Sequence, residues 1–247
     1  MNVLAIGNSF SQDAFSYLHQ IAESAGESLA CLGLYIGGCP LSHHAENLKT
    51  GKAEYHYEEN GDTSSEKYGS IEEALTMREW DVISLQQVSH LSGQAETYQP
   101  YFDELYAFVT EKCPDAKIVV HETWAYEIDS NHGEFYRYDH DQHKMFDALY
   151  TCYHNVAAEK GLALIPVGEV VQALRTHPRF DYENGGASLC RDGFHLSIPH
   201  GRYVAGLTWF SVLTGRSATE VPYVVEGIEE ADADLLRKTV DQVVFGA

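Results

Sequence analysis

The sequence predicts an α/β fold in which helices cover both faces of a parallel sheet. Short apolar segments of strand length recur along the chain, and they alternate with segments of helical periodicity. The chain has 247 residues, of which 44% are hydrophobic, and only 7 prolines, which is typical of a globular protein. Because α/β folds of this length commonly form one domain, we expect a single domain over residues 1–247.

The strands are predicted from apolar runs bounded by turn or helix signals. The first run is Val3-Leu4-Ala5-Ile6, which leads directly into Gly7. We predict a five-stranded parallel sheet with strands at 2–7, 29–36, 81–86, 117–122 and 162–166. Residues 51–69 break the pattern, because alternating residues run into Asn60-Gly61, the signature of a small hairpin insertion.

The helices are predicted from apolar stripes that face a sheet. We predict them at 14–26, 41–49, 71–78, 97–112, 140–160, 168–176, 199–214 and 231–244. The last helix carries apolar residues that include Leu236 and Val240. This stripe either docks on its own domain or forms a contact between copies, so a monomer and a homo-oligomer both stay open.

Charge and cysteine content exclude several classes of partner. Thirty-seven acidic residues against 16 Lys and Arg give a net charge of −21, which repels phosphate backbones and anionic membranes. We therefore expect neither a nucleic-acid nor a membrane partner. The five cysteines show no C-x-x-C spacing, and no signal peptide precedes the first strand, which together predict a cytoplasmic protein with reduced thiols.

A serine and a distant histidine suggest nucleophilic catalysis. Ser9 follows the first strand at the start of a helix, where the helix dipole and free N–H groups favour developing negative charge. Far downstream, His195 provides a general base, and Asp192 three residues earlier can orient its imidazole. The carboxyl ends of parallel strands share one edge of a sheet, so these residues are expected to meet there.

The same edge offers donors for an oxyanion. The backbone N–H groups of Ser9 and Gly38 are candidates, since glycine permits close approach of the backbone. A side-chain amide after the third strand, from Gln86 or Gln87, is the candidate third donor.

Aromatic and polar side chains after the third and fourth strands are candidates for substrate binding. We expect substrate contacts from Ser89, Trp124, Tyr126 and His132. Aromatic faces with a few polar partners suit sugar recognition.

No metal or cofactor is predicted. The segment Asp139-His140-Asp141-Gln142-His143 brings two histidines close together, but zinc sites need three or four convergent ligands. Its aspartates also suit a helix N-terminus without any ion.

Two motifs carry a family resemblance. Gly7-Asn8-Ser9-Phe10-Ser11 and Asp192-Gly193-Phe194-His195-Leu196-Ser197 resemble the first and last blocks of the SGNH (GDSL-like) hydrolases. Over nearly its full length, including Thr123-Trp124-Ala125-Tyr126, the chain resembles an uncharacterised bacterial branch of that superfamily. The resemblance implies a flavodoxin-like three-layer α/β/α sandwich.

The resemblance also implies roles for the motif residues. Ser9 would be the nucleophile and an oxyanion donor, Gly38 the second donor, and Asp192 with His195 the acid and base. The third block departs from the family pattern Gly-x-Asn-Asp, because this chain has Gln87-Val88-Ser89-His90. Gln86, Gln87 or Ser89 would then replace the asparagine, and we favour Gln86 because an amide preserves the donor chemistry.

The expected function is hydrolysis of small acyl esters, foremost O-acetyl groups of carbohydrates, through a Ser9 acyl-enzyme. The substrate would be a small-molecule or saccharide ester. The alternative is a non-catalytic carbohydrate-binding protein that keeps the fold but has lost catalysis through its altered third block.

Overall fold

The computed structural model describes residues 1–246 and contains the five predicted parallel strands. These are β1 (Asn2–Gly7), β2 (Ala30–Tyr35), β5 (Val82–Leu85), β6 (Lys117–His121) and β7 (Ala163–Ile165). They lie side by side in the order β2-β1-β5-β6-β7, all parallel. The strand β2 lies on one side of β1, and β5, β6 and β7 follow on the other side. This is the flavodoxin-like strand order.

The sheet is nevertheless a mixed sheet of seven strands, so the expected five-stranded parallel sheet is corrected. The predicted insertion forms β3 (Tyr55–Glu59) and β4 (Tyr68–Gly69), which continue the sheet beyond β2 as antiparallel strands. The strand β3 covers the edge of β2 that would otherwise leave backbone groups unpaired. Asn60 and Gly61, both with positive φ, begin a longer loop instead of a two-residue turn.

The helices follow the predicted segments with small shifts at their ends. Their bounds are α1 (Ser9–Phe15), α2 (Leu18–Ser24), α3 (Leu41–Thr50), α4 (Ile71–Thr76), α5 (Tyr101–Lys112), α6 (Gln142–Lys160), α7 (Val167–Leu174), α8 (His200–Thr214) and α9 (Glu230–Phe245). The helices pack on one another in two groups. The first group is α1, α2, α7, α8 and α9, and the second is α3, α4 and α5. The ion pair between Lys160 and Asp103 ties α6 to α5.

The predicted helix over 14–26 is two helices, and the first begins five residues earlier. Asn8 caps α1, since its side chain accepts the N–H of Phe10 and its own N–H donates to Ser11 Oγ. Ser9 is therefore the first residue of α1. The helix α1 ends at Phe15, with Ser16 as its C-cap, and α2 starts at Leu18.

The C-terminal helix α9 docks on its own chain. Its residues Ala233, Leu236 and Val240 are fully buried, and it packs against α7 and α8. The apolar stripe predicted there therefore belongs to the core. Within residues 1–246, no helix combines the length and apolar character needed to cross a bilayer.

Candidate active site

The serine and histidine predicted from the two motifs are in contact. His195 Nε2 lies 2.9 Å from Ser9 Oγ, and His195 Nδ1 lies 2.7 Å from Asp192 Oδ2. Both distances fall within hydrogen-bond range. The imidazole thus connects the carboxylate to the hydroxyl, which is the arrangement in which a histidine removes a proton from a serine.

Asp192 is held in place by its own loop. Its Oδ1 accepts the backbone N–H groups of Phe194 and His195, at 3.2 and 2.8 Å. Burial raises the pKa of Asp192, but hydrogen bonds from His195 outweigh it, and the net pKa lies below the ordinary value. Asp192 is therefore ionised at neutral pH and can stabilise a protonated His195.

A buried carboxylate on α1 anchors the loop that carries His195. Asp13 is fully buried and accepts the N–H of Leu196 at 2.8 Å. The guanidinium groups of Arg191 and Arg202 also donate to Asp13, at 2.8 to 3.0 Å. Because Ser9 stands on the same helix, Asp13 helps to fix the distance between Ser9 and His195.

Trp124 supports the same loop from the end of β6. Its indole N–H donates to Phe194 O at 2.7 Å, and its ring stacks on Phe10 with centroids 4.2 Å apart. Trp124 is fully buried and does not line the pocket. This corrects its expected role as a substrate contact, because its polar atom is used to hold the backbone next to His195.

Two backbone N–H groups near the Ser9 hydroxyl, those of Ser9 and Gly38, have no acceptor within residues 1–246. Both residues line one pocket. Gly38 has φ +64°, a conformation that favours glycine. The Asn8 amide donates to Cys39 O at 3.1 Å and so joins the loops that carry the two groups.

Neither glutamine after β5 points into the pocket, which corrects their expected role as oxyanion donors. Gln86 donates to Asn8 Oδ1 at 3.0 Å, and its own Oε1 lies 2.8 Å from His121 Nδ1. Gln87 donates to Thr97 and accepts the N–H of Leu41. Both amides are buried and use donor and acceptor on internal partners.

Ser89 does line the pocket with Ser9 and Gly38. Its hydroxyl lies 2.8 Å from the hydroxyl of Tyr126, so either oxygen can be the donor of that bond. Tyr126 itself is fully buried and contacts the ring of His132 instead of the pocket. Of the four expected substrate contacts, Ser89 and His132 lie on the pocket wall.

The pocket has a volume of about 240 Å³ and a mixed lining. The full lining is Ser9, Phe10, Tyr35, Gly37, Gly38, Val88, Ser89, His90, His132, Phe194 and His195. Sequence patterns assigned no role to Tyr35, His90 or Phe194. Their only signal was position, since Tyr35 ends β2, His90 follows Ser89, and Phe194 precedes His195.

The two additional imidazoles of the pocket are uncharged at neutral pH. Burial lowers the pKa of His90 and of His132, although Glu134 opposes the shift in both cases. Their rings face each other with centroids 6.0 Å apart. The pocket therefore presents neutral groups that donate or accept hydrogen bonds.

Neither nearby thiol has the character of a nucleophile. Burial raises the pKa of Cys39 and of Cys190 to about 12, so both are thiols at neutral pH.

At the start of α6, Asp141 caps the helix by accepting the N–H of Lys144 at 3.0 Å, as its position in the sequence predicts.

Comparisons with known proteins identify a family and a fold. The model of the family described as "Domain of unknown function (DUF4886)" matches residues 2–242. A DUF4886 family protein from Bacteroides uniformis is 35% identical, with a TM-score of 0.92 over 100% of this chain and 95% of that one. None of the curated proteins compared matches the chain.

More distant solved structures share the fold. A proposed SGNH hydrolase from Slackia heliotrinireducens is 20% identical, with a TM-score of 0.57 over 86% of this chain and 98% of that one. A proposed GDSL-like lipase from Parabacteroides merdae is 16% identical, with a TM-score of 0.55 over 87% and 95%. At these identities the likeness shows the α/β fold alone.

Proposed function

The chain belongs to the DUF4886 family, and from the geometry of its site we propose that it is a serine ester hydrolase acting on small acyl esters. One observation carries the proposal. Hydrogen bonds run from Asp192 through His195 to Ser9, at 2.7 and 2.9 Å, beside two free backbone N–H groups. This is the set of groups that acyl transfer through a serine requires.

In the acylation step, Ser9 Oγ attacks the ester carbonyl carbon while His195 Nε2 accepts the hydroxyl proton. The resulting oxyanion receives hydrogen bonds from the N–H groups of Ser9 and Gly38 and from the Ser89 hydroxyl. The ester C–O bond then breaks, and the alcohol leaves with the proton from His195. Asp192 stabilises the imidazolium throughout.

In the deacylation step, a water molecule gives a proton to His195 and attacks the acyl group on Ser9. Collapse of the second oxyanion releases the carboxylic acid, and the proton returns to Ser9 Oγ. Each step moves one proton between His195 and an oxygen, so no cofactor enters the chemistry.

For the substrate, we propose O-acetyl groups of carbohydrates. The pocket volume of about 240 Å³ matches a short acyl chain better than a fatty acyl chain. Its wall combines aromatic rings, from Tyr35 and Phe194, with the neutral imidazoles of His90 and His132. Rings that pack on a sugar face and imidazoles that bind hydroxyls suit a saccharide ester.

The non-catalytic alternative is less well supported. It rested on the replaced asparagine of the third block, but the groups that transfer protons are in contact and ordered by Asp13. A binding protein would have no use for that contact. The geometry therefore favours the hydrolase.

The test is hydrolysis of p-nitrophenyl acetate with labelling by a fluorophosphonate probe. We expect Ser9→Ala to lose at least about 10³-fold in kcat and all labelling. Ser16→Ala, at the other end of α1, is the matched control and should keep both. Full activity in Ser9→Ala would refute the mechanism. Acetylated saccharides compared with long-chain p-nitrophenyl esters then test the substrate, and a preference for long chains would refute that part.

A further inference from the structure

A second cluster of chemically reactive side chains lies where β6 meets α6 and α7. It consists of Glu122, which directly follows β6, His154 of α6, and Glu169 in the first turn of α7. One ligand atom from each residue lies within 4.8 Å of those of the other two. The proposed ester hydrolysis does not use any of these groups.

Glu122 is the buried member of the cluster and is only partly satisfied. Its side chain is fully buried, and its Oε2 accepts the N–H of Glu169 at 3.1 Å. Its Oε1 is also buried, yet within residues 1–246 it has no hydrogen-bond partner. A buried carboxylate oxygen without a partner is costly, so it points to a missing ligand.

The two acidic residues of the cluster have no Lys or Arg partner. Glu122 and Glu169 are neighbours, and over the described part of the chain neither forms an ion pair with Lys or Arg. The single basic neighbour is His154, whose Nε2 lies 2.9 Å from Glu169 Oε1. A cation bound between the two carboxyl groups would bring an opposite charge to both of them.

The backbone is built to bring these groups together. A Cβ atom on Gly168 would lie 2.2 Å from Thr123 O and 3.2 Å from Glu122 Cδ. Only glycine therefore lets α7 approach the end of β6 closely enough for Glu169 to meet Glu122. His154 is open to solvent on the other side, with 39% of its side chain exposed, which provides an entry path.

We propose that Glu122, His154 and Glu169 bind a divalent first-row transition-metal ion. One imidazole nitrogen with two carboxylate oxygens suits ions such as Zn²⁺, and three protein ligands leave a position for water. The ion would clamp α6 and α7 to the end of β6, two residues before Trp124. None of the three residues lines the Ser9 pocket, so metal binding can be tested separately from ester hydrolysis.

The experiment titrates Zn²⁺ alone into the full chain after EDTA treatment and dialysis, with calorimetry and thermal unfolding as readouts. We expect one tight equivalent and a Tm that rises with Zn²⁺ concentration, because a ligand of the native state stabilises it. His154→Ala and Glu169→Gln should each weaken that binding by more than about 10-fold. His143→Ala, on the exposed part of the same helix, is the matched control and should bind as the wild type does.

Glu122→Gln keeps the experiment decisive if the other variants fold poorly. It preserves shape and removes the negative charge, so we expect a folded protein with weakened Zn²⁺ binding. The proposal is overturned if the wild type binds no Zn²⁺ tightly, if Mg²⁺ binds more tightly than Zn²⁺, or if the three cluster variants bind as well as His143→Ala.

Discussion

Ser9 and Asp13 stand four residues apart on α1, and both contact the loop that carries His195. Ser9 Oγ meets His195 Nε2 at 2.9 Å, while Asp13 accepts the N–H of Leu196 at 2.8 Å. Residues i and i+4 share one face of a helix, so a single helix positions both contacts. The helix α1 therefore carries Ser9 from the first motif and also Asp13, which anchors the loop of the last motif.

Replacing that anchor should affect both stability and rate. Asp13→Asn leaves Arg191 and Arg202 without a charged partner, and we expect unfolding to become about 3 kcal/mol easier. A displaced His195 should lower kcat about 10²-fold with little change in KM. Urea unfolding and p-nitrophenyl acetate kinetics measure the two effects, and Asp115→Asn on the surface is the control. An unchanged kcat would show that the loop holds its position without Asp13.

The third oxyanion donor can be identified by comparing two variants. We expect Ser89→Ala to lower kcat about 10²-fold, because it removes a donor on the pocket wall. Gln86→Met removes internal bonds to Asn8 and His121, so it should cost about 1–3 kcal/mol of stability and less than about tenfold in kcat. The reverse order of the two kcat losses would restore Gln86 as the donor.

Substitutions at two fully buried tryptophans, Trp124 and Trp209, distinguish a positioning role from a packing role. Trp124→Phe keeps a ring on Phe10 but loses the hydrogen bond to Phe194 O, so we expect kcat to fall about tenfold. Trp209 is equally buried, but its indole N–H has no partner among residues 1–246, which makes Trp209→Phe the matched control. Steady-state kinetics at saturating substrate gives the comparison. Equal losses in the two variants would reduce Trp124 to a packing role.

The contacts of Asp232, in the first turn of α9, should make the stability of the fold decrease in acid. Hydrogen bonds from Arg179, followed by those from His200, lower the pKa of Asp232 below its ordinary value. A lowered carboxyl pKa stabilises the fold above the ordinary pKa of about 3.9, and this contribution is lost as the pH falls through the lowered value. We expect Asp232→Asn to cost about 1 kcal/mol at pH 7, since Arg179 is partly exposed, and less in acid as Asp232 becomes protonated. Urea unfolding at several pH values measures the difference, and a constant difference would contradict the assignment.

The parallel part of the fold follows from local pattern. Apolar runs and turn signals located all five parallel strands to within a few residues, because periodicity is a property of neighbouring positions. The pairing of β3 with β2 was not accessible in that way. It depends on which sheet edge the insertion covers, and antiparallel addition to β2 is decided by contacts between Leu32–Tyr35 and His56–Glu59.

The residues of the candidate site also differ in whether local sequence or tertiary contacts determine them. The sequence by itself determined the candidates Ser9, Asp192 and His195, since each lies in a short motif whose chemistry is visible from its neighbours. Only the tertiary structure decided the direction of the glutamines after β5. Gln86 donates to Asn8 and Gln87 donates to Thr97, so both amides form internal hydrogen bonds with residues that only the folded chain brings to them. The cluster of Glu122, His154 and Glu169 was likewise decided by tertiary structure, because its members come from three elements that meet only when the chain is folded.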